Sequence, residues 1–188
     1  MADFDPEAAL AAAAAGDQQA WASIVSAYSG LVWSIARSFG LSPADAADVY
    51  QGTWLRLVEH LGAVRDGSRI GGWLATTARR EALTMIRHSR RAVVVDTVDM
   101  AADEPPSSGP TVDEQLIAVE EHRTLWKAFS QLPAACQRLL RIQFADPPPR
   151  YDEISAALGM PIGSIGPTRA RCLNNLQTLL ARMGGETA

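Results

Sequence analysis

"MPIGSIGPTRARCL", residues 160–173, carries two opposed signals. Its second half runs into "NNLQTLLARM" with the composition of a helix, while its first half holds Pro161, Gly163, Gly166 and Pro167. In a helix interior a glycine costs about 1 kcal/mol and a proline about 3 kcal/mol. Four such residues at a helix entrance therefore point to a constraint other than helix stability. With Ser164 as N-cap, Ile165, Gly166 and Pro167 fill the first turn, whose N–H groups have no intrahelical partner in any case. Gly163 and Gly166 then leave bare backbone at a helix N-terminus, a place where phosphate binds readily. Upstream, "RYDEISAALG" (residues 150–159) reads as a short helix closed by Gly159. Two short helices joined by a glycine turn, the second basic through Arg169 and Arg171, have helix-turn-helix geometry.

The rest of the C-terminal half is also helical by pattern. Leu116, Val119, Trp126 and Phe129 mark one helix, Leu132-Pro133 a break with the proline at the next first position, and Cys136, Leu139, Leu140 and Phe144 a second helix. Before it lies "VVVDTVDMAADEPPSSGPTVDE", whose Pro105, Pro106, Ser107, Ser108, Gly109 and Pro110 give linker composition and divide the chain near residues 92–112. The "AVVVD" run at Ala92 is the one β-like segment and is too isolated to build a sheet.

The N-terminal half repeats the helical pattern. After a short alanine-rich helix capped by Asp5 with Pro6 at its first position, Asp17 caps a run in which Trp21, Ile24, Tyr28, Leu31, Ile35 and Phe39 share one face, ended by Gly40. Ser42-Pro43-Ala44-Asp45 starts another helix, with Ala46, Val49, Tyr50, Trp54, Leu57 and Leu61 on its apolar face. A glycine-rich loop then leads to a third, carrying Trp73, Leu74, Thr77, Ala82, Met85 and Ile86. The expected fold is all-α: two small helical domains joined by a flexible acidic linker.

Composition narrows the function. The net charge is -4, but Asp96, Asp99, Asp103, Glu104, Asp113, Glu114, Glu120 and Glu121 fall between residues 92 and 122 without one Lys or Arg. The flanking halves are consequently basic, and all their cations but Lys127 are arginine, which grips phosphate bidentately. No apolar run approaches the roughly 18 residues a membrane span needs, and the acidic N-terminus lacks the basic start of a signal peptide. Cys136 and Cys172 make neither a metal spacing nor a disulfide framework, and read as separate buried thiols. A cytoplasmic protein without cofactor or metal is expected.

Three surfaces remain once the core faces are assigned. Asp48, Gln51, Gly52, Leu55, Arg56 and Glu59 form the outward face of the helix after Ser42, an apolar residue amid polar anchors that suits a protein contact. From Arg65 to Arg91 seven arginines stand against Asp66 and Glu81, a density that fits phosphate tracking, although arginines near a helix C-terminus also favour its dipole. The third surface is the helix-turn-helix, whose second helix would present its N-terminal residues to base edges.

Taken together, "DAADVYQGTWLRLVEHLGAVRDGSRIGGWLATTARREALTMIRHSRR", the linker, and "LPAACQRLLRIQFADPPPRYDEISAALGMPIGSIGPTRARCLNNL" resemble an extracytoplasmic-function sigma factor of bacterial RNA polymerase over about residues 17–182. The resemblance implies a preceding tail or short helix (1–16), a region 2-like domain (17–91), a linker (92–112) and a region 4-like helix-turn-helix domain (113–188). Core polymerase would dock on Asp48, Gln51, Leu55, Arg56 and Glu59. The minus-ten element would meet Arg65, Asp66, Ser68, Arg69, Trp73, Thr76, Arg79, Arg80 and Arg87, with unpaired bases held by the Leu61–Ile70 loop. The minus-thirty-five element would meet Ser164, Gly166, Pro167, Thr168, Arg169 and Arg171. An anti-sigma factor is a further partner the resemblance allows. The chain departs from the family pattern at Gly52, Arg80 and Thr84, where an acid, Asn and Asp are common. Two rival readings are an autonomous helix-turn-helix repressor, which would bind duplex DNA without polymerase, and an enzyme. His60, His88 and His122 lie on different helices with no nucleophile or acid at motif spacing, so no catalytic residue is assigned.

Overall fold

The computed structural model describes residues 4–64, 66–92 and 122–184, which form helices and 3-10 turns with no strand among them. Helix α1 (Pro6–Ala14) begins where Asp5 Oδ1 accepts the N–H groups of Glu7 and Ala8 at 2.9 and 3.3 Å, with Pro6 at the first position. Asp17 caps α2 (Gln18–Ser38) through Gln19 and Ala20 at 2.8 and 3.1 Å, and Gly40, at φ 69°, turns the chain out of it. Ser42 caps α3 (Pro43–His60) through the Asp45 N–H at 3.1 Å. Two 3-10 turns, Leu61–Ala63 and Gly67–Arg69, lead to the long α4 (Ile70–Ala92). The C-terminal half holds α5 (residues 122–130), α6 (Ala134–Gln143), α7 (Tyr151–Leu158) and α8 (Ile162–Gly184). The acidic stretch from residue 93, the "AVVVD" run after Ala92, Leu116 and Val119 lie outside the described residues.

The two halves share one core. Ile24, Leu31, Val32 and Ile35 of α2, Leu57 of α3 and Ile70, Leu74, Ala75 and Ala78 of α4 cluster with Phe129, Leu132, Leu139, Leu140, Ile142, Ile154, Ala157 and Ile165. Full burial of one such Leu or Ile side chain contributes roughly 1.5–3 kcal/mol, so the seam between the halves is an apolar interface of substance. It runs where α4 meets α7 and α2 meets α6. Two glycines permit the approach: a Cβ on Gly30 would overlap the Asp146 carbonyl, and one on Gly71 would overlap the Glu153 carboxylate.

Three expectations from sequence are corrected. Pro133 is the N-cap of α6, one position before the expected first turn, because Cys136 and Gln137 donate their N–H groups to its carbonyl. Phe144 lies past the end of α6, where the chain leaves the helix, and is 70% exposed instead of in the core. Cys136 and Cys172 are bonded to each other: α6 and α8 pack together and bring their Cα atoms to 5.3 Å, inside the range a disulfide spans.

Candidate nucleic-acid interface

The exposed face of α3 carries the first group of expected residues. Asp48 and Gln51 are open to solvent, and Leu55 is 61% exposed. Val58, one turn on, is 51% exposed; it was missed in the sequence, where only its i+3 spacing from Leu55 could have marked it. Arg56 borders this pair and is held by Glu59 at 3.5 Å and by Glu81 of α4 at 3.4 Å. The result is a two-residue apolar contact with an ordered charged rim.

The loop ahead of α4 is organised by Asp66. Its carboxylate accepts the Ser68 N–H at 3.1 Å and the Ser68 hydroxyl, and pairs with Arg69 Nε at 3.0 Å. The Ser68 hydroxyl bond, aided by Arg69, holds the Asp66 carboxyl below its ordinary value. Asp66 and Ser68 therefore shape the turn, while Arg65 lies outside the described residues.

On α4, Trp73, Thr76, Arg80 and Arg87 follow at steps of three, four and seven, which sets them on one stripe. Trp73 is half-buried, with its ring centroid 6.2 Å from that of His60; Thr76 Oγ1 donates to the Gly72 carbonyl; Arg80 is exposed; Arg87 donates to Thr84 Oγ1 at 2.8 Å. Arg79 leaves this stripe. Its guanidinium lies against Gly159 at the end of α7, Nη2 being 2.8 Å from where a Cβ would stand. Arg79, Arg87 and Arg138 of α6 line one cleft of about 520 Å³ with Phe39, Leu83, Ile86 and Leu158.

In the helix-turn-helix, α7 closes at Gly159 with φ 67°, a conformation that favours glycine. The next helix starts earlier than the sequence reading has it. Ile162 is the first residue of α8, and Ser164 lies inside it, its hydroxyl donating back to the Pro161 carbonyl at 2.7 Å. Starting there sets Ile165 fully into the core. Pro167 consequently sits in the second turn, where its missing N–H leaves the Gly163 carbonyl without the usual helical donor. A Cβ on Gly163 or Gly166 would meet nothing within 4 Å, and Pro167 is exposed. This end of α8 is thus an open, smooth surface. Thr168 Oγ1 accepts from Arg171 Nη2 at 3.4 Å, while Arg169 is half-buried.

The residues joining this unit to α4 gave no signal in the sequence. Glu153 is 4% exposed and accepts the Arg150 backbone N–H at 2.8 Å, with Arg150 Nε at 3.6 Å. Burial pushes its carboxyl above the ordinary value, against the pull of Arg150. Burial, with Glu153 next to it, also raises the Tyr28 hydroxyl.

Residues 24–92, which hold the α3 face, the loop and the α4 stripe, match sigma-70 region 2. Over 149 residues the chain is 28% identical to the probable RNA polymerase sigma factor RfaY of Xanthomonas campestris pv. campestris. The chain is thus similar to RNA polymerase sigma factors. The aligned part is 79% of this chain and 37% of RfaY, so the chain spans little more than a third of that relative's length. Two solved structures share its fold. CnrH, in complex with the cytosolic domain of CnrY, superposes with a TM-score of 0.59 at 20% identity, covering 94% of this chain and 97% of that one. RpoE of Bartonella quintana, in complex with the anti-sigma factor NepR, gives 0.56 at 23% identity, covering 80% and 89%. Sigma factors are not an enzyme class. Among the described residues of this chain, no helix is long and apolar enough to cross a membrane.

Proposed function

We propose that this chain is an alternative, promoter-specific initiation factor of bacterial RNA polymerase, working in the cytoplasm without catalytic chemistry of its own. The observation that carries the proposal is the region 2 match over residues 24–92, which joins an exposed apolar docking face to an arginine-bearing helix. In this reading Asp48, Gln51, Leu55, Arg56 and Glu59, with Val58, bind core polymerase. Trp73, Thr76, Arg80 and Arg87 line the opened minus-ten strand, with Arg65, Asp66, Ser68 and Arg69 forming the loop that captures its bases. Ser164, Gly166, Pro167, Thr168, Arg169 and Arg171 approach the duplex minus-thirty-five element. Residues 17–91 and 113–188 act as the two reading units, with residues 92–112 as their tether.

Arg79 supports a further point. Its guanidinium lies against α7, and Arg150 holds the Ser68 carbonyl, so reading both elements at once requires the halves to part. The solved relatives bound to CnrY and to NepR make an anti-sigma protein the natural partner for a resting state. The repressor reading is not favoured, since a repressor acting alone has no use for the α3 docking face.

The test is promoter binding and run-off transcription with and without core polymerase, on templates selected from a random pool by the reconstituted enzyme. Specific binding that needs core polymerase is expected. Equal duplex binding by the chain alone, as a symmetric dimer, would establish the repressor reading instead.

A further inference from the structure

Cys136 and Cys172 are the only cysteines in the chain, and their bond joins the first turn of α6 to the middle of α8 across 36 residues. Its position on α8 matters. Ile165 and Cys172 are the fully buried side chains of that helix, seven residues apart and so on one face, while Leu176 and Leu179 are half-buried and Arg171 and Leu173 face solvent. The helix bearing Thr168, Arg169 and Arg171 thus rests on the body through a narrow apolar seam. One of its two deep anchors is a covalent bond that exists in one redox state only.

We propose that Cys136 and Cys172 form a reversible redox site whose oxidised form fixes α8 against α6 and whose reduced form releases it. The inference rests on the polymerase role for its compartment: in a bacterial cytosol, disulfides are transient and regulatory more often than structural. The oxidant is hydrogen peroxide. Cys136 is half-buried and Cys172 fully buried, so the Cys136 thiolate meets the oxidant first. It attacks the O–O bond, forming a sulfenic acid and expelling one oxygen as water after protonation. The Cys172 thiolate then attacks that sulfur, the S–S bond forms as the S–O bond breaks, and the second oxygen leaves as water. The two sulfurs together lose two electrons and the peroxide oxygens gain them. A dithiol reductant reverses the exchange through a mixed disulfide at Cys136.

The experiment uses the full chain, hydrogen peroxide as oxidant and dithiothreitol as reductant. Mass spectrometry after alkylation counts free thiols, and hydrogen exchange follows the amides of α8. Peroxide should convert the reduced chain to the bonded form and dithiothreitol restore it. On reduction, α8 amides should exchange about tenfold faster or more, as expected for local opening of a weakly anchored element, while α2 and α3 are unchanged. C136S keeps the buried Cys172 in the core and should show fast α8 exchange under both conditions. C136A/C172A checks that result without a new hydroxyl. These readings need no polymerase, so they stand or fall apart from the promoter assignment. Oxidation to sulfinic acid without an intramolecular bond, or α8 exchange that is equal in both states, would overturn the proposal.

Discussion

Arg150 Nη2 donates to the Ser68 carbonyl at 3.1 Å, linking residues 82 positions apart in sequence. The same guanidinium is steadied by Asp152 at 3.0 Å. The start of the helix-turn-helix therefore holds the loop proposed to capture minus-ten bases, and the two halves of the chain rest against one another along the surfaces proposed to read DNA.

Gly71 is one of the two close approaches in that seam. Ala at this position would overlap the Glu153 carboxylate, and overpacking of this kind costs typically 1–3 kcal/mol. Gly71→Ala should lower stability by that order in denaturant melts and enlarge the radius of gyration in solution scattering. Gly72→Ala is the control, because a Cβ there meets nothing within 4 Å. It should be neutral, or more stable by up to about 1 kcal/mol from helix propensity. Equal behaviour of the two variants would contradict the packing described.

Glu153 makes the seam depend on pH. Its folded-state carboxyl lies above the ordinary glutamate value because it is buried, so the folded protein binds this proton more tightly than the unfolded chain. Its contribution is fully present below the ordinary glutamate value and is lost as pH rises through the raised folded value. Glu153→Gln keeps an acceptor for the Arg150 N–H and removes the titration. Across that window wild type should lose stability relative to Glu153→Gln as pH rises, measured by thermal melts at matched ionic strength. A parallel course for the two proteins would refute the assignment.

Leu55 and Val58 should matter for polymerase and not for folding. Both are more than half exposed, so Leu55→Glu should leave the circular dichroism spectrum and melting temperature nearly unchanged, as for ordinary surface substitutions. Co-purification with core polymerase should fall at least tenfold, as expected when a central apolar contact is lost. Asp48→Arg should act in the same direction. Retention of wild-type binding by both variants would remove α3 from the interface.

The two proposed DNA surfaces should separate by salt and by sequence. Arg169→Ala should cost on the order of 1–3 kcal/mol in promoter binding if the guanidinium reads a base bidentately, and should relax preference at that base alone. Arg87→Ala should weaken all promoters about equally and lower the salt dependence, as loss of a phosphate contact does. Binding isotherms of the reconstituted enzyme at two salt concentrations distinguish the cases. A base-specific defect in Arg87→Ala would reverse the roles.

Local chemistry was readable from the chain alone. Asp5, Asp17 and Ser42 cap their helices where the sequence places them, and Gly40 and Gly159 take positive φ at the expected exits. Caps and breakers act within one turn, so a few neighbouring residues decide them. The exposed α3 face was legible for the same reason: helical period fixes which residues share a face. Register at the head of α8 was not, because Ser164 is an acceptable cap by its chemistry. What sets the start three residues earlier is the need to bury Ile165 against the other helices.

Everything that depends on two distant segments was left to the tertiary structure. Glycines at 30 and 71 look like helix defects in the sequence, and only the packed halves reveal them as clearances for Asp146 and Glu153. Glu153 reads as an ordinary first-turn acid until α4 covers it. Cys136 and Cys172 have no telling spacing, and it is the packing of α6 on α8 that brings their Cα atoms to 5.3 Å. The sequence determined the helices and the faces they offer, since those follow from period and caps. Which faces meet is decided by shape and volume across the whole core, a property that no local pattern encodes.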